Sequence, residues 1–354
     1  EEFIKKATEI TPNHPVLIDR FLDDAIEIDV DALYDGDELF LAGVMEHIEE
    51  AGIHSGDSAC VLPTFSLTPE KVAEIRTATE SIARRVGVRG LINIQFAVTR
   101  DLTVYVLEAN PRASRTAPFV SKATGNPLAK AASLICVGKK ISELRNEGIL
   151  PATGDGEANG VSVKEAVLPW NRFRRIDGTG VDSVLGPEMR STGEVMGISA
   201  TFGEAYAKSQ TAAFGPLPHS GTVFLSLSDR DKEGALEPAR ALIGLGFSLY
   251  TTQGTHDFLA ASGITSTQVK KNSENSLPGD SALDIISQGK VSLVINTPLG
   301  RGTRQDGWLI RTASVQRSIP IITTIAGFKA AVAGISEMNG RPFAVKSLQK
   351  WQAQ

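Results

Sequence analysis

The chain has 354 residues, 42% hydrophobic and 22% charged, with a formal net charge of -5. That balance excludes a basic footprint for nucleic acid, and no run of about eighteen apolar residues is present to span a membrane. The only cysteines, Cys60 and Cys136, lie far apart without ligand spacing; they exclude a disulfide framework and point to a reducing compartment. Length predicts about two or three domains. The opening residues, Glu1-Glu2-Phe3-Ile4-Lys5-Lys6, contain neither an initiator Met nor a signal peptide, so the chain reads as a piece of something longer.

In chain order, Ile26, Ile28, Val30 and Ala32 alternate with Glu27, Asp29 and Asp31, predicting a strand with one apolar and one acidic face. Alternating acids of this kind point to a solvated sheet face. Asp35-Gly36 turns into a second strand through Leu39-Phe40-Leu41-Ala42. Thr68-Pro69-Glu70 opens a helix with a buried stripe of Val72, Ile75, Ile82 and Val86, and Gly87 stops it. A second hairpin joins Leu91–Val98 to Thr103–Leu107. This order predicts an α+β unit. Gly154 to Gly160 is compatible with a linker, although strand-like Val161-Ser162-Val163 follows directly.

At Gly215-Pro216-Leu217-Pro218-His219 the grammar changes. Val223–Leu225, Phe247–Tyr250, Val291–Ile295 and Ile319–Thr323 read as buried strands separated by helical segments, including Glu237–Leu245. That alternation predicts a parallel α/β domain, with the main boundary near residue 215.

Gln95 on one strand of the second hairpin faces Glu108 and Asn110 at the end of its partner. Converging oxygen donors suit a hard cation shared with nucleotide phosphates; a polar strand end is the bland alternative. Arg112 and Arg115 follow, one turn apart if that segment is helical, and would neutralise a transferring phosphoryl group. His47 and His54 flank an acidic helix end and a Gly-rich turn, Gly52 to Asp57, which either admits a ligand to its backbone or is an ordinary loop. In the second domain, Thr252-Gln253-Gly254-Thr255 and Asn296-Thr297-Pro298-Leu299-Gly300 each follow a strand. Two such turns at strand carboxyl ends could face one anion pocket reached by Lys232 and Lys271, or serve only as caps.

Several long motifs resemble the second ATP-grasp unit of carbamoyl-phosphate synthase large subunits. They are Val16 to Asp31, Glu46 to Ser58, Glu108 to Thr116, Pro118 to Gly125, and Leu185 to Gly197 with its Gly186-Pro187-Glu188-Met189-Arg190-Ser191-Thr192-Gly193 core. Residues from about 215 onward resemble the methylglyoxal-synthase-like regulatory domain of the same enzymes. The resemblance implies a partial ATP-grasp unit over 1–138, its C-terminal part and connection over 139–214, and an allosteric domain over 215–354. It implies phosphorylation of carbamate by ATP, feeding pyrimidine and arginine biosynthesis, in the cytoplasm or, in a eukaryote, in an organelle matrix or stroma.

By motif, Gln95, Glu108 and Asn110 would hold Mg²⁺ or Mn²⁺, and Arg112 and Arg115 would bind phosphoryl group and carbamate. Arg20 and Leu22 would line the adenine, Glu27 the ribose and a K⁺ ion, and Gly52, Ile53, His54 and Ser55 would close over the nucleotide. Lys232, Thr252, Thr255, Lys271, Asn296 and Thr297 would bind a phosphorylated nucleotide effector. Expected partners are the remaining half of the large subunit and a glutaminase small subunit; a homo-oligomer is compatible with the family.

The sequence departs from the family pattern at several points. A true methylglyoxal synthase carries an acid where Thr297 stands, so binding without lyase chemistry is expected. The glycine-rich lid that covers the phosphates is absent, so the isolated fragment is expected not to turn over. The loop Arg174 to Gly180 looks longer than usual. Two alternatives remain: an inert fragment acting as a regulatory nucleotide-binding module, and a carboxylase-type ATP-grasp ligase. The second is disfavoured by the Leu185–Gly197 motif and the appended α/β domain.

Overall fold

The computed structural model describes residues 25–173, 180–274, 279–298 and 305–353, together with Lys5, Pro15 and Leu22. The first part is a mixed assembly of hairpins and helices. Strands β1 (Ile26–Tyr34) and β2 (Leu39–His47) pair antiparallel, and β3 (Cys60–Leu62) extends them. The connecting turn is held by Asp35, whose Oδ1 accepts the backbone N–H groups of Asp37 and Glu38, each at 2.8 Å. Helix α1 (Pro69–Val86) follows. Its Thr68 N-cap oxygen accepts the Lys71 N–H, Pro69 sits where no backbone donor is needed, and Gly87 ends it in the left-handed region at φ 75°.

The buried stripe of α1 is Ile75, Thr79 and Ala83. Val86, expected in that stripe, is 54% exposed; it lies on the last turn, where the chain is already leaving the sheet. Strands β4 (Gly90–Val98) and β5 (Val104–Asn110) form the second hairpin, with β4 also pairing β1. Helices α2 (Ala117–Thr124), α3 (Leu128–Cys136) and α4 (Ile141–Asn146) cover the sheet, and β6 (Val161–Val167) and β7 (Gly193–Ser199) complete it. The order is β5-β4-β1-β2-β3-β6-β7.

The Gly154–Gly160 stretch is pinned rather than a free linker. Asp155 accepts the Leu41 N–H at 3.0 Å and the Arg76 Nε–H at 2.9 Å, and the Gly156 N–H donates to the Leu41 carbonyl at 2.8 Å.

Helix α5 (Phe202–Ala213) leads to the second sheet. Its strands are β8 (Thr222–Ser226), β9 (Ser248–Thr252), β10 (Thr267–Val269), β11 (Leu293–Asn296) and β12 (Ile321–Ile322), all parallel, in the order β10-β9-β8-β11-β12. Between them run α6 (Leu236–Gly244), α7 (Gln253–Ala261), α8 (Ala282–Ser287) and α9 (Gln305–Gln316); α10 (Ile325–Met338) and α11 (Leu348–Gln352) follow β12. The expected parallel α/β arrangement is present, and strand continuity in a sheet covered on both faces explains the near-continuous apolar runs.

The two sheets share a core. Val61, Val163 and Tyr206 belong to the same buried cluster as Val223, Leu225, Phe328 and Ala331. Helices α5 and α10 approach closely at glycines: a Cβ on Gly203 would lie 2.7 Å from the Ala333 carbonyl oxygen. No described helix is long and apolar enough to cross a membrane.

Candidate active site and effector turn

The β4–β5 hairpin brings the predicted metal donors together. Gln95 stands directly opposite Glu108, and the register slips immediately after this pair, leaving Leu107 as an extra residue on β5. Such a bulge re-aims side chains at a strand end. The Asn110 Nδ2–H donates to Glu108 Oε1 at 2.8 Å, and the Gln95 Nε2–H donates to Ser55 Oγ at 3.2 Å. Both amides spend their nitrogens on neighbours, which leaves their oxygens and the Glu108 carboxylate available as hard donors of the kind Mg²⁺ takes. Among the described residues no cluster of three or more His, Cys, Asp or Glu could hold a metal; this set draws on amides instead.

The segment between β5 and α2 is not helical, so Arg112 and Arg115 are not related by a helical turn. Pro111 and the hydrogen bonds of Ser114 and Thr116 set its path. Arg112 is exposed, with Nη1 donating to the Ala113 carbonyl at 3.1 Å. Arg115 points toward the Gly-rich turn: its Nη1 donates to Ser191 Oγ at 3.5 Å and would lie 3.0 Å from a Cβ on Gly56.

That turn, residues 52–57, follows β2; no helix precedes it, contrary to the expected acidic helix end. Glu46 and His47 lie in the strand itself. The turn is held from several directions. Gly52, at φ 94°, directs its N–H toward Glu27 Oε2 at 3.4 Å. The His54 N–H donates to the Gly186 carbonyl at 2.8 Å, and His54 Nδ1 accepts the Gly56 N–H at 3.0 Å. Asp57 accepts the Arg190 and Ser191 N–H groups, both at 2.8 Å, while Ser191 Oγ donates to the Gly56 carbonyl. Beneath it, the buried Lys164 ammonium on β6 donates to the Ser55 carbonyl at 3.0 Å. No local pattern gives Asp57, Lys164 and Ser191 this holding role, because their partners are distant in the chain.

The acidic face of β1 is the main correction. Glu27, Asp29 and Asp31 are 3%, 2% and 0% exposed, so this face is not solvated. β1 is a central strand paired on both sides, and the loops above it exclude water. His47 lies between two of these acids, 3.8 Å from Glu27 and 3.9 Å from Asp29. Burial pushes the Glu27 carboxyl up, opposed by His47 and by the Gly52 amide. Burial, with Asp29 beside it, pushes Asp31 up to about 6. Asn93 bridges the pair, its Nδ2 donating to Asp29 at 2.5 Å and Asp31 at 3.1 Å. Of the adenine-side candidates, Leu22 is half-buried and Arg20 lies outside the described residues, as does the loop 174–179.

In the second domain the Thr and Asn turns meet at the carboxyl ends of β8, β9 and β11. Thr252 precedes α7 with its hydroxyl free of any capping bond and 3.5 Å from Ser226 Oγ. Thr255 Oγ1 accepts the Leu227 N–H, and Thr297 Oγ1 accepts the Ser228 N–H. The Lys232 ammonium would lie 3.4 Å from a Cβ on Gly254, and pairs with Asp229 at 2.6 Å. Lys271 follows β10 at the same end of the sheet; Leu299 and Gly300 lie outside the described residues. Arg311, for which no local pattern in the sequence gives a role, is buried on α9 and donates to Asn296 Oδ1 at 2.6 Å. Its other nitrogens form a bidentate pair with Asp182, at 2.6 and 2.7 Å.

Between the two sheets lies a cleft of about 420 Å³, lined by Glu49, Asp57 and Glu165 on one side and Ile321, Thr323 and Thr324 on the other. Burial, and then the Glu49 charge, push Glu165 up to about 8. An acid whose folded pKa is raised contributes stability that is complete below the unfolded value and is lost as pH rises through the folded one. Wild-type stability should therefore fall as pH rises from the ordinary glutamate range toward about 8, with Glu165 contributing to that fall. Glu165→Gln should flatten that fall in urea midpoints followed by tryptophan fluorescence; an unchanged slope would remove Glu165 as its source.

A family model described as the carbamoyl-phosphate synthase L chain, ATP binding domain, matches residues 1–144, and one for the MGS-like domain matches residues 234–323. A carbamoyl phosphate synthase large chain of Streptomyces avermitilis is 58% identical over 356 residues, covering 99% of this chain and 32% of that one. Its counterpart in Mycobacterium tuberculosis is 55% identical over 356 residues, covering 98% and 32%. The chain thus spans about a third of the length of the curated relatives it matches. Among solved structures, the biotin carboxylase domain of a single-chain bacterial carboxylase matches with a TM-score of 0.41 and 17% identity, covering 60% of this chain and 56% of that one.

Proposed function

We propose, from the premise that this chain belongs to the carbamoyl-phosphate synthase large-chain family, that its first sheet carries the site at which carbamate is phosphorylated by ATP. The observation behind this is the convergence of Gln95, Glu108 and Asn110 on one hairpin end, with Arg115 turned toward the 52–57 loop.

The Gln95 and Asn110 oxygens and the Glu108 carboxylate would hold Mg²⁺ or Mn²⁺. The ion, when bound, supplies charge neutralisation. Arg112 and Arg115 orient carbamate and the γ-phosphoryl group so that a carbamate oxygen forms a bond to phosphorus while the bond to the bridging oxygen of ADP breaks. No side-chain nucleophile and no proton transfer are required, so positioning and electrostatics carry the rate. By resemblance, Arg20 and Leu22 would line the adenine, and Glu27 would take the ribose and a K⁺ ion. Gly52, Ile53, His54 and Ser55 close over the nucleotide.

Residues 1–138 and 139–214 form the synthetase part, and 215–354 the effector domain, where Lys232, Thr252, Thr255, Lys271, Asn296 and Thr297 receive a phosphorylated nucleotide. The rest of the large chain and a glutaminase complete the enzyme, whose product enters pyrimidine and arginine synthesis.

The test is ATP formation from ADP and carbamoyl phosphate by the full-length large chain. Arg115→Ala should lower it about 10²-fold, the usual effect of losing one charge-stabilising donor. Full activity in that variant would overturn the assignment.

A further inference from the structure

The face of β1 expected to be solvated instead carries a carboxylate with an unusual set of partners. Asp31 is completely buried. Its Oδ1 accepts the Ser114 hydroxyl at 2.6 Å and the Asn93 amide at 3.1 Å, and its Oδ2 accepts the Thr116 hydroxyl at 2.7 Å. These described partners are hydroxyls and an amide rather than a cation, so the desolvation of Asp31 is offset only by hydrogen bonds. Serving packing alone, an apolar residue would fill the position at lower cost.

What the three bonds achieve is local. Ser114 and Thr116 flank Arg115 on a segment with no helix or strand of its own. Thr116 is the N-cap residue of α2 but makes no capping bond; its hydroxyl is given to Asp31 instead. Ser114 Oγ accepts the Ala117 N–H at 2.9 Å, so the start of α2 is tied to the same carboxylate. Asp31 is held from both sides, β1 pairing with β2 through Asp31 and Gly43, just before the register slips at Ala32, and with β4 through Asp31 and Asn93.

We propose that Asp31 is a positioning residue that fixes Arg115, through Ser114 and Thr116, for recognition of the phosphoryl and carbamate groups. This rests on the assignment of Arg112 and Arg115 made above. Because reactant misplacement by about 1 Å can cost 10²-fold in rate, the effect should fall on the small substrate and not on the nucleotide.

The experiment measures ATP formation from ADP and carbamoyl phosphate by the full-length large chain, with separate KM values for the two substrates. Thr116→Val, which keeps shape and removes the hydroxyl, should raise the KM for carbamoyl phosphate about tenfold and lower kcat, with the KM for MgADP within about twofold. Thr116→Ser, which restores the donor, should return both to wild-type values. Asp31→Asn should follow Thr116→Val with a larger change. Equal behaviour of the Val and Ser variants, or parallel movement of both KM values, would overturn the proposal. Glu108→Gln is the control. If it stays active, the assigned reaction site itself fails; if it is inactive while Thr116→Val retains its carbamoyl-phosphate KM, only the anchoring role fails.

Discussion

Glu108→Gln is expected to lower ATP formation from ADP and carbamoyl phosphate in the full-length large chain by about 10²–10³-fold. The substitution keeps one oxygen donor and the approximate shape, so the hydrogen bond from Asn110 survives while the negative charge is lost. If the hairpin holds the ion as proposed, metal binding should weaken accordingly, and the Mg²⁺ concentration giving half-maximal rate should rise. Binding of a phosphorylated nucleotide at the β8–β9–β11 turns should be unaffected, since Thr252 and Asn296 end strands of a separate sheet and Lys232 follows β8 of that sheet. An active Glu108→Gln chain would show that this hairpin is not the metal site, and loss of effector binding would show that the two sites are not separate.

The second large effect is expected at the junction of the two parts. Asp182 holds Arg311 in a bidentate pair, and its backbone carbonyl also accepts Arg190 Nη1 at 2.9 Å. The arginine side chain is only 4% exposed. Asp182→Ala would leave a buried guanidinium with two unpaired nitrogens, a loss of about 3 kcal/mol. At about 2–4 °C per kcal/mol for domains of this size, the thermal midpoint should fall by roughly 6–12 °C. Replacing Arg311 as well, with Met, should recover part of the loss by removing the stranded charge. An unchanged midpoint in Asp182→Ala would mean that solvent at Asp182 already satisfies the arginine.

Local grammar is legible wherever a single element decides it. Thr68-Pro69 and Gly87 bound a helix because capping and backbone φ are properties of a few adjacent residues. Gln95, Glu108 and Asn110 could be brought together from the sequence because a short hairpin has one common register. The same logic failed on β1. Alternation separates Ile28 and Val30 from Asp29 and Asp31, but it does not say which of the two faces meets water. With β2 and β4 on either side and the 111–116 segment above it, the acidic face is buried as deeply as the apolar one.

The order of elements, the α+β and parallel α/β halves, the meeting of Gln95, Glu108 and Asn110 at one hairpin end, and the long motifs are legible from the residues alone. Each depends on contacts within a few residues or on an extended string of identities. Tertiary structure alone decided that Asp31 anchors the Arg115 segment, that Lys164 and Asp57 hold the 52–57 loop, that Arg311 joins Asn296 to Asp182, and that Glu49 and Glu165 line one cleft. Those pairs lie 15 to 134 residues apart. Their meeting depends on how sheets and loops pack in three dimensions, and no local periodicity encodes it.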